Sequence, residues 1–299
     1  MAWISNFDSI PVGIYEKALP IDLSWAERLN VAHQAGYDFL EISIDETEHR
    51  MQRLEEGTKE RQALCQAVGE GLLPIRSLSL SSHRSFPLGS ADERIRRKGV
   101  EILKKAFDLS IVLGLRYILI SGADVYYEES TPASRAYFLD GLELAFERAS
   151  AAGIMLALEN WDIGIDSLTK AMNYVKHFNS PWFQLYADIG NLAYAGHDVM
   201  RELDVGKGHI AALHVKDTLP GQLRYVPLGE GMVPFEEAFS KLAQIGFQAP
   251  IVIELWTEEN PTSIEIVTAA RQWLKDMLQS GWRRGMQEKQ EIRSVSCPQ

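Results

Sequence analysis

Two cysteines in 299 residues, Cys65 and Cys297, are too few and too far apart for a disulfide framework or a cysteine-rich zinc site. No apolar run approaches about 18 residues, so no transmembrane helix and no membrane partner are expected. The opening Met-Ala-Trp-Ile-Ser-Asn-Phe-Asp has neither the basic nor the apolar region of a signal peptide. A soluble, reduced, cytoplasmic protein is therefore the expectation. Positive charge is also scarce: 30 Lys+Arg stand against 41 Asp+Glu, a formal charge of −11. That balance argues against a nucleic-acid partner, because such binding draws on Lys and Arg neutralising phosphates. It leaves room for a small anionic substrate, since a few basic residues make a local pocket. A Gly-rich phosphate loop after the first candidate strand is missing too, which counts against a doubly wound nucleotide-binding sheet.

What is present is a repeated joint. A helix-like stretch ends in Gly and an apolar run follows, at Gly36, Gly71, Gly114, Gly153 and Gly246. Glycine supplies the left-handed residue that closes a helix. Helix starts agree: Ser24-Trp-Ala-Glu27 and Ser90-Ala-Asp-Glu93 read as capping boxes, and Pro132 suits a first helical position. Eight strands are predicted: Val12–Tyr15, Phe39–Ile44, Ile75–Leu80, Tyr117–Ser121, Met155–Glu159, Phe183–Ala187, Ile210–Val215 and Ile251–Trp256. Eight βα units make a (β/α)8 TIM barrel occupying residues 1–285 as a single domain. Residues 286–299 are polar, without apolar periodicity, and are expected to be disordered.

In a barrel of this kind the active site lies at the C-terminal strand ends. Four consecutive strands end on Glu159, Asp188, His214 and Glu254. An isolated acid at a strand end is commonly a loop cap or an ion-pair partner, and a lone His is commonly a core residue. The ordered set is another matter. Three converging carboxylates repel one another and need a cation, and one imidazole with three carboxylates suits one divalent ion, Zn²⁺, Mn²⁺, Mg²⁺ or Co²⁺. Lys17 after strand one, His83 in Ser-Ser-His-Arg after strand three, Lys216 and Arg224 are candidate substrate contacts. The Leu228-Gly-Glu-Gly231 turn offers backbone N–H groups to an anion. Surface or loop roles are the plain alternatives for all of these. Trp161 and Trp256 stand just beyond the acids and are candidates for excluding water.

Several segments resemble the L-xylulose-5-phosphate 3-epimerase family of the xylose-isomerase-like barrels, once labelled hexulose-6-phosphate isomerases. They are Gly13-Ile-Tyr-Glu-Lys-Ala-Leu-Pro20, Leu78-Ser-Leu-Ser-Ser-His-Arg-Ser-Phe-Pro-Leu-Gly-Ser90, Trp182–Leu192, His214-Val-Lys-Asp-Thr218 and Pro227-Leu-Gly-Glu-Gly231. The likeness runs from residue 11 to about 283. It implies one divalent metal held by Glu159, Asp188, His214 and Glu254, with Glu159 and Glu254 also the acid/base pair. It further implies a small phosphorylated ketose as substrate, a homodimer, and a place in ascorbate or related pentose catabolism. Two positions depart from the pattern: Asn160 follows Glu159 where a less polar residue is expected, and Ala187 precedes Asp188 where Pro is common.

The residues themselves support a chemistry. Inverting a carbon beside a ketone requires a proton to leave one face and return on the other, and two carboxylates on opposite sides meet that need. The expectation is 3-epimerisation of L-xylulose 5-phosphate and L-ribulose 5-phosphate. The nearest alternative is an aldose–ketose isomerase on the same metal, which needs one base. An endonuclease IV-like phosphodiesterase and a non-catalytic sugar-phosphate sensor are more distant readings.

Overall fold

A computed structural model describes residues 7–71, 73–161 and 163–296. Eight parallel strands close a barrel in the order β1-β10-β7-β6-β5-β4-β3-β2. They are β1 (Val12–Tyr15), β2 (Phe39–Ile44), β3 (Ile75–Leu80), β4 (Tyr117–Ser121), β5 (Met155–Glu159), β6 (Phe183–Asp188), β7 (Ile210–Val215) and β10 (Ile251–Ile253). Helices α1 (Trp25–Gln34), α2 (Glu48–Met51), α3 (Lys59–Gly69), α4 (Glu93–Leu113), α5 (Pro132–Ala152), α6 (Leu168–Phe178), α7 (Ile189–Tyr194), α8 (Val199–Val205), α9 (Phe235–Ile245) and α10 (Ser263–Ser296) connect and surround the strands. A small antiparallel hairpin, β8 (Asp217–Leu219) and β9 (Gln222–Val226), stands on the rim between β7 and α9.

Alternation along each strand divides the apolar residues into two cores. Tyr15, Phe39, Leu119, Ala157, Tyr186, Ala212 and Val252 fill the barrel interior. Ile14, Ile42, Leu78, Ile120, Leu158 and Leu213 point outward and pack beneath the helices. Burying each such side chain contributes about 1.5–3 kcal/mol. Beside β1 a second kind of interior appears: Glu16 is fully buried and accepts from Arg50 Nε at 2.9 Å and Arg53 Nη1 at 2.7 Å.

The predicted strands reappear with small changes. β6 includes Asp188. The last barrel strand stops at Ile253 rather than Trp256, because after Glu254 N–H bonds Val215 the chain turns away and Thr257 N–H bonds Lys17 instead. Ser24 makes the expected capping box, and Pro132 opens α5. Ser90 does not cap α4; Asp92 does, accepting from the Arg94 N–H. Gly36, Gly114, Gly153 and Gly246 adopt positive φ, whereas Gly71 does not.

The polar C-terminal segment is described as part of the last helix, α10, up to residue 296. Its Gln, Glu, Lys and Arg residues are strong helix formers. Gly281 and Gly285 bring α10 so close to α9 that a Cβ at either would strike the Glu236–Ala243 stretch. Glu288 then accepts from Arg284 at 3.0 Å and from Ser240 at 3.1 Å. Residues 297–299, with Cys297, lie outside the described residues.

Candidate metal centre

The register of the barrel decides who meets whom at its mouth. β4–β5 pairing sets Ser121 beside Glu159, β6–β7 pairing sets Asp188 beside His214, and Glu254 follows the end of β10. Side chains in register share a face, so these residues turn inward together. One ligand atom from each of Glu159, Asp188, His214 and Glu254 lies within 4.8 Å of all the others, and all four residues are buried.

Charges around His214 are dense. Its Nδ1 stands 2.9 Å from Glu159 Oε1, 3.6 Å from Glu254 Oε2 and 4.0 Å from Asp188 Oδ2. Burial alone would push the imidazole pKa down, but Glu41, Glu254 and Glu159 hold it well above its usual range. Lys216, two residues on and therefore on the same side, places Nζ 2.7 Å from Asp188 Oδ2 and 3.0 Å from Glu254 Oε2. Burial, with Glu254 and Asp188 nearby, pushes Glu159 up to about 7 against the pull of His214. Burial acts upward on Glu254 as well, yet Lys216 and His214 keep it below the ordinary carboxylate range. Three buried carboxylate groups beside a single imidazole form a donor set that fits a divalent metal ion.

Asp188 is clamped in place. Its N–H donates to Asn160 Oδ1 at 2.8 Å and its carbonyl accepts from Asn160 Nδ2 at 2.9 Å. Asn191 donates its N–H to Asp188 Oδ1 and its side-chain amide to the Asn160 carbonyl. The polar residue after Glu159, unexpected by family pattern, is thus the clip between the ends of β5 and β6.

Beneath the cluster lies Glu41 of β2, a residue that sequence reasoning missed. It accepts from Tyr186 Oη at 2.7 Å and pairs with His214 Nε2 at 2.8 Å. The inward parity of the Phe39-Leu-Glu41 stretch is the available signal, but Glu41 sits mid-strand, away from the strand ends where a barrel of this kind carries its site.

The four candidate substrate contacts separate. Lys216 joins the cluster. Lys17, on the turn after β1, is held by Asp45 Oδ2 at 2.6 Å. His83 turns toward α4, its Nε2 3.2 Å from the Gly99 carbonyl, and burial pushes its pKa down to about 4. Arg224 lies on β9 with its guanidinium 4.9 Å from the Trp256 ring centre, a ring Lys216 Nζ approaches to 5.3 Å. A cleft of about 410 Å³ opens beside Lys216 and Glu254, walled by Trp256, Tyr225, Leu228 and Trp273. Trp161 is buried, edge-on to Tyr126.

The Leu228–Gly231 turn does bind an anion, but it is the chain's own. Asp217 Oδ2 accepts from the N–H of Gly229 at 2.9 Å and of Gly231 at 2.8 Å, while Oδ1 accepts from Thr218 and Val233. A Cβ at Gly231 would strike that carboxylate, so glycine is required there.

Comparison with known proteins agrees with this architecture. Residues 29–277 match the family model described as xylose isomerase-like TIM barrel. The chain is 47% identical over 267 residues to L-ribulose-5-phosphate 3-epimerase UlaE of Escherichia coli O1:K1, covering 89% of this chain and 94% of that protein. It is 46% identical over 274 residues to the Salmonella heidelberg (strain SL476) protein of the same name, covering 91% and 96%. Among solved structures, D-psicose 3-epimerase from Clostridium cellulolyticum H10 aligns with a TM-score of 0.75 at 14% identity, covering 90% of this chain and 99% of that one. At that identity the likeness concerns the fold.

Proposed function

Because the chain belongs to the xylose isomerase-like TIM barrel family, and within it to the sugar-phosphate 3-epimerases, we propose that it interconverts L-ribulose 5-phosphate and L-xylulose 5-phosphate. The observation that carries this reading is the convergence of two buried glutamates, Glu159 and Glu254, on His214, at 2.9 and 3.6 Å from its Nδ1. They come from strands separated by β6 and β7, so a sugar seated between them presents one face to each.

Glu159, Asp188, His214 and Glu254 are the proposed ligands of a divalent metal, Zn²⁺ or Mn²⁺ foremost. Such an ion would supply Lewis-acid stabilisation of the negative charge that develops beside the ketone. One glutamate removes the C3 proton and the other returns a proton to the opposite face, which inverts the carbon without redox change. Lys216 balances Asp188 and Glu254, and the Asn160–Asn191 clip keeps Asp188 from swinging away. Phosphorylated sugars are retained in the cytoplasm, so catabolism of this substrate belongs there.

The test is proton NMR of L-ribulose 5-phosphate in D₂O with Mn²⁺ or Zn²⁺, repeated after EDTA. Deuterium entering C3 as L-xylulose 5-phosphate forms, and stopping on chelation, is the expected result. Exchange at C1 identifies an aldose–ketose isomerase and overturns the epimerase reading.

A further inference from the structure

The floor of the barrel, at the N-terminal ends of its strands, has a basic cavity of its own. About 730 Å³ in volume, it is lined by Arg76, Arg116, Tyr117 and Gln248, with Leu73 and Leu113 on one side. A β-bulge places the first arginine. Leu40 pairs with Ile75 and Glu41 with Ser77, so Arg76 is an extra residue in β3. Its guanidinium lies 5.6 Å from the ring centre of Phe39, which belongs to the barrel interior. A guanidinium stacked on a ring keeps its N–H donors free in its own plane. Arg116, just ahead of β4, donates its backbone N–H to the Arg76 carbonyl at 2.8 Å, so the two arginines stand side by side on neighbouring strands.

Neither guanidinium forms an ion pair among the described residues, unlike Arg50, Arg53 and Arg84 at the mouth. In a chain of formal charge −11, two unpaired cations in one cavity point to an anion from outside. The acceptors that would repel such an anion are already engaged. The carbonyls of Pro11, Pro74, Pro250 and Arg116 accept from the N–H groups of Ile251, Leu40, Leu213 and Met155. Asp38 accepts from the Val12 N–H and Glu70 from the Gln66 amide, each at 2.8 Å. Burial pushes the Tyr117 hydroxyl up while Arg76 and Arg116 pull it back, so the three groups lie within electrostatic reach of one another.

We propose that this cavity binds a phosphate group, free or as a small monoester, with Arg76 and Arg116 on its oxygens. The planar fork of arginine matches phosphate geometry, and Leu73 and Leu113 offer an apolar wall to the organic part of a monoester. A purely structural role is the competitor, because cations near the C-terminal ends of α3 and α4 would offset the helix dipoles. Those ends are closed by the chain itself: the Glu70 N–H bonds Gln66, that of Gly114 bonds Ile111 and that of Leu115 bonds Ser110. The site is separate from the proposed metal centre, which occupies the opposite ends of the strands, and it does not rest on the epimerase reading.

The experiment titrates full-length, metal-loaded protein by calorimetry with inorganic phosphate and with phenyl phosphate. Wild type, Arg76→Gln, Arg116→Gln and the double variant are compared. At one site, phosphate affinity falls about 10-fold in each single variant and about 100-fold in the double. KM and kcat for L-ribulose 5-phosphate stay at wild-type values, and the double variant melts with wild type in phosphate-free buffer. Added phosphate then raises Tm more for wild type than for the double variant. Tighter binding of phenyl phosphate than of inorganic phosphate assigns the site to a monoester, and equal affinity assigns it to the free ion. Unchanged phosphate binding in the folded double variant overturns the proposal, and a lowered Tm with binding intact gives the arginines to the helix ends instead. A KM that rises in step with lost phosphate binding also overturns it, because the phosphate then belongs to the mouth.

Discussion

Glu41 and His214 come from strands three apart around the barrel, yet the Glu41 carboxylate lies 2.8 Å from Nε2 of the imidazole. With Nε2–H donating to Glu41, Nδ1 is left to face Glu159, Glu254 and Asp188, so one buried carboxylate sets the tautomer of the proposed ligand. Tyr186, directly across the barrel from Glu41, fixes the carboxylate in turn at 2.7 Å.

Glu41→Gln should therefore lower metal affinity by about 10- to 100-fold while the fold persists. Competition against a fluorescent chelator measures it. An unchanged metal constant would reduce Glu41 to a packing role.

Glu159→Gln removes one of the two proposed proton-transfer groups and keeps its shape. The kcat should fall about 10³-fold or more, with circular dichroism unaltered. Rapid turnover by this variant would rule out a scheme with two glutamate bases.

Asp217 accepts from four backbone N–H groups, those of Thr218, Gly229, Gly231 and Val233. Asp217→Ala should destabilise the protein by about 3 kcal/mol, read from urea unfolding, and Asp217→Asn by less. Equal stability of the alanine variant and wild type would mean that water takes over those donors.

His83 gives a pH signature. Burial holds its folded pKa near 4, below the usual range of about 6.5. Neutral His83 therefore contributes stability that is fully present above pH about 6.5. It is lost as pH falls toward about 4, because the unfolded chain takes up a proton that the folded one refuses. The loss amounts to roughly 3 kcal/mol across that window. His83→Gln should flatten unfolding free energy between those pH values; an unflattened curve would place the titrating group elsewhere.

Periodicity and helix-stop glycines carried most of the architecture, because each βα unit states its own boundaries locally. Seven of the eight predicted strands match within one residue, and the ordered Glu159, Asp188, His214 and Glu254 set could be read directly because each stands at a strand end. What escaped was long-range. The Glu41 bond to His214 and the Asn160 clip join residues 173 and 28 positions apart, and only closure of the barrel brings them together. The β8–β9 hairpin was hidden for a related reason: its strands are only three and five residues long, and Asp217 at its base is held by the N–H groups of Gly229 and Gly231, 12 and 14 residues further along the chain. The continuation of α10 depends on α9 lying alongside, which no local signal in a polar tail announces.

The turn that follows the hairpin is, in effect, an anion receptor delivered with its ligand already attached. A receptor whose guest is tethered through the chain cannot be emptied by dilution, and phosphate buffer or salt must compete against an intramolecular partner of high effective concentration. The conformation of that rim segment is thereby insulated from the ionic fluctuations of the solution in which the substrate arrives, and the wall beside Lys216 is built before any sugar reaches it.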